Sequence, residues 1–325
     1  MVDLKNFIRC HYMQPNKKFT HSVMFHHFHN ENHAKSQGSI SADEFNQMLK
    51  WLVDSYKIID ADEYIDRLEK SNLNSDEICL SFDDALLCQY DIARPILDAL
   101  KIRAFFFVYS SPLCGDPDPL EIYRLFRTKN FKDIDIFYEE FFLEAKNINP
   151  VLYTQAQSQY DEINYLVSFP FYSKNDKWFR YLRDQILGKL NYQAIMDKMM
   201  QDKNFDIESA SSDLWMSNAN IQKLHEEGHI IGLHSYSHPT TLHTLTKDQQ
   251  RVEYEKNFDH LSAILKSNPI AMSHPCGNYN LDTLSILRRL GIRIGFRSSN
   301  SIRTIESNLE IPRNDHANIL KEMRE

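Results

Sequence analysis

The chain has 325 residues and a net charge of -8, and no block of lysine and arginine stands out to neutralise phosphates, which argues against a nucleic-acid binder. Hydrophobic residues make up 42% and charged residues 25%, an ordinary globular balance that allows one large domain or a domain with a sizeable insertion. Only 8 glycines, with no G-x-G-x-x-G and no P-loop, argue against a glycine-rich nucleotide loop. Cys10, Cys79, Cys88, Cys114 and Cys276 are odd in number, scattered and never C-x-x-C. That pattern fits reduced cytosolic thiols better than a disulfide framework or a cysteine zinc site. Met1 to Phe7 carry charge where a signal peptide has its apolar core, and no run approaches the roughly 18 apolar residues that span a bilayer. The expectation is a soluble, cytoplasmic protein.

In chain order, Val23-Met24-Phe25 reads as a strand running into the histidine-rich turn His26-His27-Phe28-His29, where one ring lines a pocket and the others are solvated. Ser41-Ala42-Asp43-Glu44 is a capping box, and Phe45, Met48, Leu49 and Leu52 behind it share one helical face. A short strand at Lys57-Ile58-Ile59 and a brief helix from Asp62 to Lys70 follow. Ile78-Cys79-Leu80-Ser81 then reads as a buried strand, with Asp83 and Asp84 where it ends. Strand ends are where catalytic groups collect in parallel α/β folds. Neighbouring side chains of an extended segment point to opposite sides, so the pair suits two roles, a metal ligand beside a general base. A helix to about Leu100 and a strand over Lys101 to Val108 complete a βαβ unit, which implies a parallel sheet.

From 111 to 215 the rhythm changes. Pro112, Pro117 and Pro119 break the chain, and a segment rich in Tyr, Phe, Asn and Lys follows, with helical spacing over Ile122 to Phe126, Phe137 to Leu143 and Trp178 to Leu190. This stretch reads as an inserted, mostly helical cap on a domain made of residues 1–110 and 216–325. Ser217 is an N-cap, and Gly228 ends its helix. His229 to Leu233 is a strand ending in His234-Ser235-Tyr236-Ser237-His238-Pro239. Thr246 and Gln249 form a second capping box. Ile270 to Ser273 is a strand flowing into His274-Pro275-Cys276-Gly277. Leu281, Leu284 and Leu287 lie on a helix stopped at Gly291, Ile292 to Phe296 is another strand, and Glu310 to Arg313 is a terminal extended piece.

His234 and His238 are spaced as on a zinc-protease helix, but a strand precedes them, no Glu follows His234, and Pro239 disfavours helical geometry at His238. A strand-end loop presenting both rings to a pocket is expected instead. Two histidines and one carboxylate suit zinc first and tolerate cobalt or nickel.

These stretches resemble the polysaccharide deacetylases, the NodB-homology group of carbohydrate esterases. Ser81-Phe82-Asp83-Asp84-Ala85 is similar to their T-F-D-D-G motif, His234 to Pro239 to H-S/T-x-x-H-P with Glu226 to Leu233 as lead-in, and Ser273 to Gly277 to the third motif. The resemblance covers roughly residues 20–110 and 215–316. It implies a distorted (β/α) barrel of about seven parallel strands and one divalent metal ion held by Asp84, His234 and His238. It also implies Asp83 as general base and a backbone N–H near Cys276 as oxyanion donor. Ala85 replaces the family's glycine, Cys276 its usual aromatic, and Ser273 an Arg that orients the base, for which Arg313 is a candidate substitute. The family's acid is a histidine of an L-x-x-x-H motif. Here Ile311 to His316 is off by one residue, so His316 is the candidate acid and His26 a second. The implied activity is removal of an N-acetyl or other N-acyl group from an amino sugar or cytosolic glycan precursor. A catalytically weak carbohydrate-binding relative is the alternative, and a metal phosphoesterase ranks last because ligands for only one metal are found.

Overall fold

The computed structural model describes residues 21–116, 118–167, 172–299 and 304–324; the reading of Met1 to Phe7 and Cys10 lies outside them. The chain forms two compact units, Met1–Asp118 with Asp213–Glu325, and Pro119–Ser212. The second unit is helical, with its longest helices at Ile134–Ile148 and Gly188–Asp202. Its core is built from rings: Phe179 meets Phe137 and Phe141 edge to face, with Phe141 and Phe179 centroids 4.9 Å apart.

The first unit is a parallel sheet. Its strands are β1 (Ser22–Phe25), β2 (Lys57–Ile58), β3 (Glu77–Asp83), β4 (Phe105–Val108), β5 (Ile230–Leu233), β6 (Ala271–Ser273), β7 (Ile294–Phe296) and β8 (Asn314–Asp315). They run in the order β7-β6-β5-β4-β3-β1-β8, with β2 beside β3. The two edges meet through residues just before β8. Arg297 N–H donates to Ile311 O at 2.8 Å and Ile311 N–H donates to Gly295 O at 2.9 Å, while Asn314 pairs with Val23 of β1. The distorted (β/α) barrel of the sequence reading is therefore present, with the segment 309–315 bridging its seam.

Period two decides the packing. Cys79, Phe105, Phe107, Ile294, Phe296 and Ile311 form one buried cluster, the inner face, while Leu80, Phe82, Phe106, Val108 and Leu233 belong to another that helices cover. Both faces are buried, so the strands are continuous apolar runs without polar alternation. At Gly232 a Cβ would stand 2.7 Å from both the Phe107 ring and Ala271 O, so only glycine lets β5 lie this close to its neighbours.

The capping boxes at Ser41 and Thr246 form as expected. Several boundaries differ. The strand expected over 101–108 begins only at Phe105, because Arg103 N–H donates to Asp60 Oδ1 at 2.7 Å and its carbonyl accepts from Ala61, which pins that stretch as a loop. Asp83 is the last residue of β3 and does not follow it. The terminal extended piece gives only a bridge at Ile311 before β8, and an unanticipated helix, His316–Glu322, begins there with Asp315 as its N-cap.

Candidate metal and catalytic site

Asp83 shares the inner face with Cys79 and Ser81, four and two residues before it. At Asp84 the chain leaves the strand with φ 81°, and Ala85 follows at φ 52°. This left-handed turn swings the second carboxylate back toward the same pocket, which strand alternation alone would not do. Left-handed backbone costs a non-glycine residue on the order of 1 kcal/mol or more, which a glycine at position 85 would avoid. Gln89 holds the turn, its Nε2 donating to Asp83 O at 2.6 Å and His26 O at 2.8 Å.

His234 follows β5, and its backbone N–H is shared between Val108 O at 3.1 Å and Asn257 Oδ1 at 3.0 Å. Its ring lies 2.8 Å through Nδ1 from Ser273 O. A carbonyl only accepts, so Nδ1 carries the proton and Nε2 keeps a lone pair. That Nε2 is 3.4 Å from Asp84 Oδ1, and Nε2 of His238 is 3.6 Å from the same oxygen. The loop between the two histidines is irregular, with Ser235 at φ 63° and His238 at φ 52°. Glu253 pins it by accepting from Tyr236 N–H at 3.1 Å and Ser237 N–H at 2.8 Å. The expected strand-end loop is thus what presents both rings.

Asp84 Oδ1 is buried without a hydrogen-bond partner, and one ligand atom from each of Asp84, His234 and His238 lies within 4.8 Å of the others. A carboxylate oxygen facing the Nε2 atoms of two imidazoles is a donor set that a positive charge can hold together. A divalent cation fits it. Burial pushes Asp84 up, but the His234 and His238 imidazoles outweigh it, and the carboxyl sits below its ordinary range. Burial likewise works against a charged His234, yet the Asp83 and Asp84 carboxylates leave its pKa raised.

Asp83 has a different environment. Arg313, fully buried, grips it in a fork, Nη1 donating to Oδ1 at 2.7 Å and Nη2 to Oδ2 at 2.6 Å. Ser273 Oγ is 3.1 Å from Oδ2 and accepts from Arg313 Nη2 at 2.6 Å. Arg313 is held in turn by Arg297 O at 2.8 Å. Burial opposes ionisation of Asp83, but Arg313 and then His234 outweigh it and keep the carboxyl low. Arg313, named from the sequence as a candidate to orient the base, thus contacts Asp83 directly, with Ser273 as a second contact.

The remaining candidates lie further out. His26 Nε2 is 4.0 Å from Asp83 Oδ2 and the ring is about one-quarter exposed. His316 is buried, its Nε2–H donating to Gly38 O at 2.9 Å and its Nδ1 3.4 Å from Asp315 Oδ1. His26, Asp315 and His316 bring ligand atoms within 4.8 Å of one another, so His316 belongs to a cluster beside Asp83 and not to the histidines of the triad. Cys276 is exposed in the turn Pro275–Gly277 with φ 51°. Sequence reasoning missed Asn257, Glu253 and Gln89, which brace the site from helices. A polar residue buried on an otherwise core-facing helical stripe was the only available signal.

A family model for polysaccharide deacetylase matches residues 193–295, which include His234, His238 and Ser273 but not Asp83 or Asp84. No curated protein matches the chain. Among solved structures, deacetylase PplD of Streptococcus pyogenes in complex with acetate is 17% identical, covers 91% of this chain and 92% of its own, and has a TM-score of 0.52. IcaB from Ammonifex degensii is 15% identical over 91% of each chain with a TM-score of 0.55. The BpsB deacetylase domain from Bordetella bronchiseptica is 14% identical over 93% of this chain and 98% of its own, with a TM-score of 0.52. At these identities the likeness is one of fold. Among the described residues, no helix is long and apolar enough to cross a membrane.

Proposed function

On the polysaccharide deacetylase family match over residues 193–295, together with the similar fold, we propose that the chain is a metal-dependent hydrolase of that family. It removes an N-acetyl or related N-acyl group from an amino sugar or glycan precursor. The observation that carries this reading is the division of labour between two adjacent carboxylates, Asp83 saturated by Arg313 and Asp84 left facing two imidazoles.

Asp84, His234 and His238 hold the cation, zinc first and cobalt or nickel in its place. When bound, such an ion lowers the pKa of water and polarises an amide carbonyl. Asp83, kept ionised and aimed by Arg313, takes the proton of the attacking water as general base. The backbone N–H at Cys276 donates to the oxyanion, a contribution typically worth roughly 3 kcal/mol of barrier. The amine leaves with a proton from the His26–His316 pair. His316 holds Gly38 through Nε2 and so exchanges protons at Nδ1, while His26 is nearer Asp83 and more open. Two of the similar structures, PplD and the BpsB domain, are deacetylases, which supports removal of an acetyl group.

The test is acetate release from a panel of N-acetylated amino sugars and sugar nucleotides by chelated protein reloaded with zinc, cobalt or nickel. Release that depends on the metal and is lost in Asp84→Asn is expected. Sugar binding without release under every metal would overturn the hydrolase reading in favour of a carbohydrate-binding relative.

A further inference from the structure

Away from the pocket, a cysteine, a histidine and an asparagine from three segments meet in line. Cys114 ends the tight turn Pro112–Cys114 after β4, His260 lies on the helix Lys247–Leu265, and Asn218 is the first residue of the helix Asn218–Glu226. Cys114 Sγ is 3.4 Å from His260 Nδ1, and His260 Nε2 is 3.3 Å from Asn218 Oδ1. Only one neutral tautomer serves both contacts, with Nε2–H donating to the amide oxygen and Nδ1 receiving the thiol proton. The order is nucleophile, base and orienting group.

We propose that Cys114, His260 and Asn218 form a thiol-exchange site that takes small disulfides. The thiol proton passes to His260 Nδ1 as the sulfur attacks one sulfur of the disulfide. The S–S bond of the reagent breaks, its second sulfur leaves as a thiolate and takes up that proton, and Cys114 is left in a mixed disulfide. Burial and the Asp116 carboxylate raise the Cys114 thiol, against Lys256, so at rest the sulfur is protonated. Burial lowers His260, so the ring is a free base near neutral pH. A base that acts during attack is what such a pair supplies.

Disulfide exchange also fits better than acyl transfer. The backbone donors around the sulfur are spent inside the turn: Cys114 N–H on Ser110 O and Ser111 O, Gly115 N–H on Pro112 O, and Asp116 N–H on Ser111 O. None of these three can stabilise an oxyanion, which acyl chemistry needs and exchange does not. Cys114 is exposed, as the reagent requires, and Cys276 is a second exposed thiol in the same molecule that serves as an internal reference.

The full-length protein is treated with oxidised glutathione at neutral pH, and modification of each cysteine is followed by peptide mass mapping. Cys114 is expected to react at least about tenfold faster than Cys276, given the factor of roughly 10²–10⁴ a positioned base can supply. His260→Gln, which keeps the bulk of the side chain, is expected to bring Cys114 down to the Cys276 rate, and Asn218→Ala to lower it several-fold. An unchanged Cys276 rate in both variants verifies the fold. Equal rates at the two thiols, or a Cys114 rate indifferent to His260→Gln, would overturn the proposal.

Discussion

The two sides of the pocket are held by opposite means. On one side Asp83 already has its positive charge, a guanidinium locked in place by Arg297 O and Ser273. On the other, Asp84 faces two imidazoles, His234 with its Nδ1 proton held by Ser273 O, and its buried Oδ1 has no hydrogen-bond partner. Two neighbouring carboxylates thus acquire different chemistry from which cation each can reach. In the proposed mechanism the Arg313 fork, as much as the D-D sequence, is what would keep Asp83 off the metal and available as a base.

The largest effect comes from breaking the filled side. Replacing Arg313 with Met leaves Asp83 buried and unpaired, and such a loss typically costs about 3–5 kcal/mol. Chemical denaturation at neutral pH is expected to show it. Because Asp83 has a depressed pKa in the folded state, the pair's contribution is fully present above the ordinary carboxyl pKa of about 3.9. It is lost as pH falls through the lower folded value, so variant and parent converge in strong acid. For the same reason Asp83→Asn strips Arg313 of its partner, and its kinetics are interpretable only beside a stability measurement.

Breaking the open side should instead cost less stability and remove binding. Asp84→Asn deletes a carboxylate whose ionised form the two histidines favour, so the cation-free Tm is expected to fall, but by less than in the Arg313 variant. The Tm rise that zinc gives the parent should vanish. Loss of cation-free stability comparable to the Arg313 variant would show that Asp84 serves the fold first.

A smaller, pH-dependent difference sharpens the comparison. The carboxylates raise His234, and a metal ligand must be neutral, so protons compete with the cation as pH falls through that raised value. Cation affinity measured by calorimetry is expected to weaken toward acid. Asp84→Asn should lower the His234 pKa followed by NMR, since one of the charges that raises it is gone.

How much of this the sequence carried follows from distance along the chain. Asp83 with Asp84, and His234 with His238, each sit at the end of one apolar strand, so residue type and local pattern were enough to find them. Arg313 was nameable only as a candidate. It reaches Asp83 across 230 residues from a seam segment too short to show strand periodicity. The helix that His316 opens was not anticipated because it is brief. The strand at Phe105 began late because a side chain far upstream, Asp60, captured the Arg103 amide, a tertiary contact with no local trace.

The least effect is expected at the turn joining the two sides. Ala85→Gly relieves the left-handed backbone but gives up a buried methyl and adds freedom to the unfolded chain, so stability should change by no more than about 1 kcal/mol. Denaturant midpoints check it.

The most direct test of the central claim is anomalous diffraction at the zinc edge from crystals soaked with the metal. One strong peak ligated by Asp84, His234 and His238, with Asp83 still in the Arg313 fork, is the predicted result. A peak bonded to Asp83, or metal bound only away from the two histidines, would contradict it.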